Sequence, residues 1–246
     1  MRSNPMKASG WARFLALGVA GVAACGQGLT DSASRHSRVV LDIRSILGTV
    51  LDGDFLSVAD TVHLTIASGG KELTLTRILG PGDDETTFDV TVDAGTARFS
   101  VDVISNNGTP LYRGETSATI DADGFAVSIT PQAINPVMVI TPRRPAFILT
   151  DNGQIRNFTA TVRVRNAGLD TLRWRVDSQV QLPPGVSVFC FIPSFEANCL
   201  NEQVWTGQTN VDILVGYSTP TATGSLPTQG IRFVSNVGSA TLPTVP

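Results

Sequence analysis

Histidine, cysteine and lysine are scarce in this 246-residue chain, which has two, three and two of them respectively. The sequence has no His-Glu-x-x-His cluster, no Gly-x-Ser-x-Gly motif and no glycine-rich phosphate loop between a strand and a helix. We therefore expect a non-catalytic protein with no metal and no cofactor. Paired carboxylates of the kind that cleave glycosides stay an open alternative, because no motif marks them.

Basic charge and long apolar runs are also scarce. Residues 25–246 hold all 21 acidic residues but only 15 of the 18 basic ones, which gives a net charge of −6. Binding of nucleic-acid phosphates needs a net basic surface, so we expect no nucleic-acid partner. No run of 18 apolar residues follows the N-terminal segment, and we expect no membrane-spanning helix there.

The N-terminal segment has the pattern of an export signal. Three basic residues come first, and the apolar run Phe14–Ala24 follows, which is long enough for a signal peptide and too short to span a bilayer. The tetrad Val22-Ala23-Ala24-Cys25 closes it. This tetrad resembles the lipobox of bacterial lipoproteins, which implies cleavage before Cys25 and acylation of its thiol. An ordinary signal cleaved without lipidation is the alternative.

The lipobox resemblance implies a location for the protein. Residues 1–24 would be the signal peptide, Cys25 a membrane anchor and residues 25–37 a small, polar and flexible tether. Two or more acyl chains hold a protein stably on a membrane. An aspartate after the cysteine commonly retains enteric lipoproteins at the inner membrane. Gly26 therefore favours the outer membrane, on its periplasmic or surface face.

Residues 38–131 alternate between apolar and polar side chains with the period of β-strands. Phe88–Val92 and Phe99–Val103 flank a turn at Asp93–Gly95, which predicts a hairpin with one buried face. Asn107-Gly108 predicts another tight turn, of type I′. No stretch keeps a helical period, although a short helix is hardest to exclude in Leu47–Ala59. Further strands are predicted at Val39–Ile46, Val62–Ala67, Glu72–Ile78, Ser117–Asp121 and Phe125–Ile129.

The region from Thr87 to Gly114 resembles the Ig-like modules of bacterial surface proteins. It has a strand, a turn and a second strand, followed by Leu111-Tyr112-Arg113-Gly114. Together with the regular strands and Gly, Asn and Asp turns, this resemblance implies an antiparallel Ig-like β-sandwich over residues 38–131.

Residues 132–246 differ from this first domain in charge. They hold 6 acidic and 8 basic residues, against 14 and 6 in residues 38–131, which favours a boundary near Pro131–Pro136. The run Val162–Val176, with Asn166-Ala167-Gly168 at a turn, resembles the v-x-N-x-G-x-x-x-L-x-W-x-v signature of an Ig-like superfamily that includes BACON and Hydin-type (ASH) modules. Val204–Ile213 and Gly230–Ala240 resemble its later strands.

The expected fold is therefore all-β, with two tandem Ig-like antiparallel β-sandwiches at residues 38–131 and 132–246 after the signal peptide and tether. Trp174 alternates with polar residues on its strand and is expected in the core. Trp205 and Tyr217 are less constrained. They are the better candidates for exposed aromatic side chains, although core packing is the leading interpretation for both.

Cys190 and Cys199 enclose eight residues. An exported protein enters an oxidising compartment, so a disulfide between them is expected. Two alternatives remain, a pair of reduced buried cysteines and a metal pair. The metal pair lacks a nearby histidine or a further cysteine.

Four arginines form a candidate anion-binding face. Arg163 and Arg165 alternate with apolar residues on one predicted strand, and Arg173 and Arg175 do so on the next. In a hairpin all four would point outward, with cross-strand neighbours about 5 Å apart. Their mutual repulsion would be relieved by an anionic partner. A solvated strand face without a partner is the alternative.

The expected function is binding, adhesion or scaffolding by a lipid-anchored envelope protein, with an unknown protein or glycan as partner. Scaffolding predicts a flat polar surface or an exposed strand edge. Polysaccharide capture is an alternative that predicts at least two coplanar exposed aromatic side chains. A periplasmic assembly factor is a third, and it predicts an apolar groove or an open strand edge.

Overall fold

The computed structural model describes residues 36–43, 54–121, 125–178, 181–221 and 227–244. Within these ranges the regular structure is β-strand apart from one turn of 3₁₀ helix at Pro193–Phe195. The expected all-β class is confirmed. The signal peptide, Cys25 and most of the tether lie outside the described residues, as do residues 47–53 of the segment Leu47–Ala59, in which a helix was hardest to exclude.

The N-terminal half, residues 36–133, contains two sheets, with strands numbered in chain order. In the three-stranded sheet the order is β5-β1-β8, and β1 pairs antiparallel with β5 and parallel with β8. In the five-stranded sheet all pairs are antiparallel, in the order β4-β3-β6-β7-β9. These strands are β1 (His36–Ile43), β3 (Ala59–Ser68), β4 (Lys71–Ile78), β5 (Thr86–Asp93), β6 (Gly95–Ser105), β7 (Pro110–Ile120), β8 (Phe125–Ile129) and β9 (Gln132–Ala133).

The C-terminal half contains the other two sheets. The seven-stranded sheet has the order β15-β14-β17-β12-β10-β2, with β11 also on β12. Its strands are β2 (Leu56–Ser57), β10 (Met138–Thr141), β11 (Ile148–Asp151), β12 (Ile155–Asn166), β14 (Ser187–Ile192), β15 (Ala197–Asn198) and β17 (Asn210–Pro220). The four-stranded sheet has the order β16-β13-β18-β19. Its strands are β13 (Leu172–Val176), β16 (Gln203–Trp205), β18 (Ile231–Ser235) and β19 (Gly238–Leu242).

The apolar side of each alternating strand is buried, as the sequence predicts. Every second residue of β5 and of β6 is buried, for example Phe88 and Phe99. In the C-terminal half Trp174 is buried. Its ring centroid lies 4.7 Å from that of Trp205, in an edge-to-face arrangement, and 6.0 Å from that of Phe233, in a stacked one. The prediction that Trp174 is a core residue is confirmed, and Trp205 is buried as well.

Two predicted hairpins are wrong in their pairing. β5 pairs with β1, whereas β6 pairs with β3 and β7, so Asp93–Gly95 carries the chain from one sheet to the other. In the same way β12 pairs with β10, β11 and β17, whereas β13 pairs with β16 and β18. Alternation marks the buried face of a strand. Two strands that face each other across a core therefore show the same alternation as two strands that pair.

The predicted turn at Asn107-Gly108 does join two paired strands, β6 and β7, but it is not of type I′. The carbonyl of Ser105 accepts a hydrogen bond from the N–H of Gly108 at 2.9 Å, and Gly108 alone in this turn has a positive φ, of 87°. A turn with two positive φ angles lies instead between β3 and β4, at Gly69-Gly70. At the N-terminus, His36 and Ser37 belong to β1 and not to the tether.

The two halves are joined by backbone pairing, and a buried amide fixes the start of the C-terminal half. β2 comes from the N-terminal half and pairs with β10 of the C-terminal half, so residues 54–58 cross the predicted boundary. The Oδ1 of Asn166 accepts hydrogen bonds from the N–H of Val137 at 3.1 Å and of Gly168 at 3.2 Å. A Cβ on Gly168 would lie 2.1 Å from the carbonyl oxygen of Asn135. The Asn-x-Gly motif thus holds the connecting segment against the C-terminal half.

Candidate functional site

One edge of the N-terminal half is open. β4 and β5 are the edge strands of their two sheets, and neither pairs with a further strand within the described residues. At one end Arg77 of β4 donates to the carbonyl of Thr87 of β5 at 2.6 Å. At the other end Ser68, the last residue of β3, donates to the carbonyl of Asp93 of β5 at 3.4 Å. A cavity of about 300 Å³ lies between them. We call it the edge groove, and it is lined by Ile66, Ser68, Lys71, Glu72, Leu73, Thr91, Val92 and Asp93.

Leu73 is the principal apolar side chain of the edge groove. It lies directly opposite Ile66 in the β3–β4 register, and opposed residues of an antiparallel pair share one face of the sheet. Ile66 is buried in the core, yet Leu73 is 44% exposed. Leu75, the next residue of β4 on this face, is only partly buried. The inner face of the sandwich is therefore open to solvent along this edge.

Charged side chains bound the edge groove. Lys71 Nζ lies 3.4 Å from Asp93 Oδ2 at one end, and Arg77 lies at the other. Charges on an edge strand oppose indiscriminate pairing with other chains. Between them, Leu73–Thr76 carries no charge. The edge is thus apolar and neutral in its middle and polar at its two ends, which restricts the register in which another strand could pair with it.

The structure does not bring the four predicted arginines together, so that prediction is wrong in its geometry. Arg163 and Arg165 lie on β12 of the seven-stranded sheet, and Arg173 and Arg175 lie on β13 of the four-stranded sheet. The cause is the pairing error described above, because a shared outward face requires paired strands. The four residues form two separate pairs.

Both residues of the first pair, Arg163 and Arg165, form hydrogen bonds with neighbouring side chains. Arg163 forms two hydrogen bonds with its cross-strand partner Asp212, at 2.8 and 3.1 Å, and this hydrogen bonding lowers the pKa of the Asp212 carboxyl. Arg165 donates to the side chain of Gln208 at 3.3 Å. The second pair lines a depression on the four-stranded sheet, where Arg173 contacts Glu202 at 3.0 Å.

The predicted disulfide between Cys190 and Cys199 is present, with both residues buried. The loop that it closes presents Phe191 and Phe195 to solvent, 41% and 60% exposed. No sequence pattern singled out these two phenylalanines. Trp205 and Tyr217 are both buried, which confirms the leading interpretation that they pack in the core and excludes the alternative that they are exposed.

Potential metal ligands are scattered over the described part of the chain. No three histidine, cysteine, aspartate or glutamate side chains there lie close enough together to hold a metal ion. His63 is half-buried on β3 opposite Asp102, and His36 begins β1. No helix within the described ranges has the length and apolar character of a membrane span.

Neither a family model nor a curated protein matches this sequence. Among solved structures, a leucine-rich repeat protein from Bacteroides thetaiotaomicron is similar over 85% of this chain and 23% of its own, with 10% identity and a TM-score of 0.27. The exo-chitosanase CsxA from Amycolatopsis orientalis is similar over 77% of this chain and 24% of its own, with 15% identity and a TM-score of 0.28. The chain thus spans about a quarter of their length, and likenesses this weak carry no functional argument.

Proposed function

We propose that the chain is a non-catalytic, lipid-anchored envelope protein that binds an extended segment of a partner protein along the edge groove. The observation that supports this most is Leu73, which faces the inside of a sandwich and yet is 44% exposed. Soluble proteins normally cover such a residue. A partner strand beside β4 would cover it.

Strand addition suits the chemistry of this edge. The outward backbone groups of β4 would pair with those of the incoming segment and supply affinity. An apolar side chain of the partner would enter the cavity of about 300 Å³ beside Leu73 and supply specificity. Burial of apolar surface contributes roughly 25 cal/mol per Å².

The anchor follows from the lipobox resemblance at Cys25. We expect Cys25→Ser to move the protein from the membrane fraction to the soluble fraction, because the acyl chains would be lost. Metabolic labelling with a fatty-acid analogue, with fractionation of both forms, measures this. Absence of label on the unaltered protein would contradict lipidation and leave the edge groove unaffected.

Site-specific photo-crosslinking tests the edge groove. Leu73 lines the edge groove, whereas the control residue, Thr161, is likewise exposed but lies on β12 of the seven-stranded sheet and does not line the groove. A photoreactive residue at position 73 of the full chain, in cells that make the protein, should yield a discrete crosslinked partner, and one at position 161 should not. The additional substitution Thr76→Pro should abolish the crosslink. Identical patterns at both positions would overturn the proposal.

Polysaccharide capture is the second candidate. It is favoured by the exposure of Phe191 and Phe195 in the disulfide-bonded loop. Aromatic rings at a surface stack on the apolar faces of sugars as readily as on protein side chains. In a glycan array, loss of binding by Phe191→Ser together with Phe195→Ser would favour this candidate over strand addition.

A further inference from the structure

The outer face of the four-stranded sheet has a depression of about 350 Å³ with two arginines in its lining. Arg173 and Arg175 alternate with buried residues on β13 and therefore point to the same outer side, about 7 Å apart. Val234 and Ser235 of the neighbouring strand β18 contribute to the lining. Within the described residues, the guanidinium of Arg175 has neither a hydrogen bond nor an ion pair.

A carboxylate already lies in this depression. Arg173 Nη1 donates to Glu202 Oε1 at 3.0 Å. Both side chains are more than half exposed, so the pair contributes little to stability and can exchange with a carboxylate from solution. Replacement of Glu202 by a ligand would leave both guanidinium groups free to bind oxyanions in their preferred two-point geometry. Arg163 differs, because its guanidinium already forms two hydrogen bonds with the carboxylate of its cross-strand partner Asp212.

We infer that this depression binds an acidic saccharide through its carboxylate groups. β13 and β18 are the two interior strands of their sheet, so their backbone groups are already paired. An extended peptide would find no strand edge there, and the side chains alone must hold the ligand. The two arginines match two acidic groups, and half-buried Val234 offers an apolar surface to a sugar ring.

Calorimetric titration with trigalacturonate at low salt tests this inference on the full chain carrying Cys25→Ser. The paired change Arg173→Ser and Arg175→Ser should weaken binding at least about tenfold, since hydrogen bonds between charged groups are lost. The matched control, Arg163→Ser and Arg165→Ser, removes the same charge from the other sheet and should leave the affinity within about twofold. Glu202→Gln should strengthen binding, because it removes the competing carboxylate.

Each outcome decides the question. The site is supported if the double variant of Arg173 and Arg175 alone loses affinity for trigalacturonate and Glu202→Gln gains affinity. An equal loss of affinity in both double variants would show a general charge effect and overturn the inference. Absence of binding at millimolar trigalacturonate by the protein with all four arginines intact would overturn it as well. Equal affinity for triglutamate would overturn the saccharide assignment. If the double variant fails to fold, Arg175→Ser alone, which breaks no described contact, takes its place.

Discussion

Two sheet edges of this molecule differ in how they are covered. At β19 the side-chain amide of Asn106 donates to the carbonyl of Ser239 at 2.5 Å and accepts from its N–H at 3.1 Å, in the place of a neighbouring strand. A Cβ on Gly238 would lie 2.4 Å from Asn106 Oδ1, so this glycine makes room for the amide. At β4 no described side chain bonds to the strand backbone. Because the chain covers one edge, the uncovered one favours a binding role.

The largest expected effect is a difference in unfolding free energy between substitutions in the closed middle and at the open edge of the five-stranded sheet. Leu64 and Leu73 both face the inside, but Leu64 is fully buried. Leu64→Ala should lower the free energy of unfolding by about 3 kcal/mol, since it leaves a cavity. Leu73→Ala should cost less than about 1 kcal/mol. Urea unfolding of both variants measures the difference, and equal costs would mean that the β4 edge is closed in solution.

A smaller effect should follow from uncovering the β19 edge. Asn106→Ala removes two hydrogen bonds and should cost about 1 kcal/mol. It also frees backbone groups for pairing, so self-association should increase in sedimentation experiments. Asn152→Ala is the control, because Asn152 likewise forms two side-chain hydrogen bonds to the backbone, here accepting from the N–H groups of Gln154 and Ile155 within a turn. Equal self-association of the two variants would contradict the idea that Asn106 protects an edge.

The smallest expected effect is a difference in stability between variants of two buried tyrosines, one from each half. Tyr217 donates to the carbonyl of Gln229, whereas the hydroxyl of Tyr112 has no partner within the described residues. Tyr217→Phe should therefore cost about 1 kcal/mol, and Tyr112→Phe should change stability by less than about 0.5 kcal/mol. Thermal unfolding at neutral pH measures both. A larger loss for Tyr112→Phe would reveal an unseen partner.

The same two tyrosines predict that the free energy of unfolding falls at alkaline pH. Burial raises the pKa of Tyr217 to about 12 and also raises that of Tyr112, above about 10 for an unfolded chain. The folded state then holds its protons longer than the unfolded state. Their contribution to stability is fully present below pH 10 and is lost as the pH rises towards 12. Either Phe variant should flatten this fall.

Local patterns predicted much of the fold. Alternation identified the buried faces of β5, β6 and β13, and the burial of Trp174 followed from it. The disulfide between Cys190 and Cys199 was expected from the oxidising compartment that an export signal implies, and it is present. These features depend on residues close together in sequence, or on which side of a strand is apolar. The resemblance-based predictions of export, lipidation and Ig-like modules stay predictions.

Strand partners could not be predicted in the same way. Whether β5 pairs with β6 or faces it across the core depends on distant strands such as β1 and β3. The split of the four arginines follows from the same uncertainty. The edge groove was missed because no local pattern states which strand ends a sheet. Its sequence signal is the placement of Lys71, Glu72 and Arg77 around Leu73 and Leu75, since charged residues are common on edge strands.

The start of β1 sets how far the edge groove can stand from a membrane. His36 pairs with Asp93, and Asp93 lines the groove, so the chain enters the folded body beside it. Eleven residues after Cys25, a fully stretched polypeptide has covered at most about 40 Å. If Cys25 carries lipid and the edge groove binds a partner as proposed, the captured protein would be confined to a thin layer above the bilayer. Membrane-bound or membrane-inserting partners would then meet the groove far more often than freely diffusing ones.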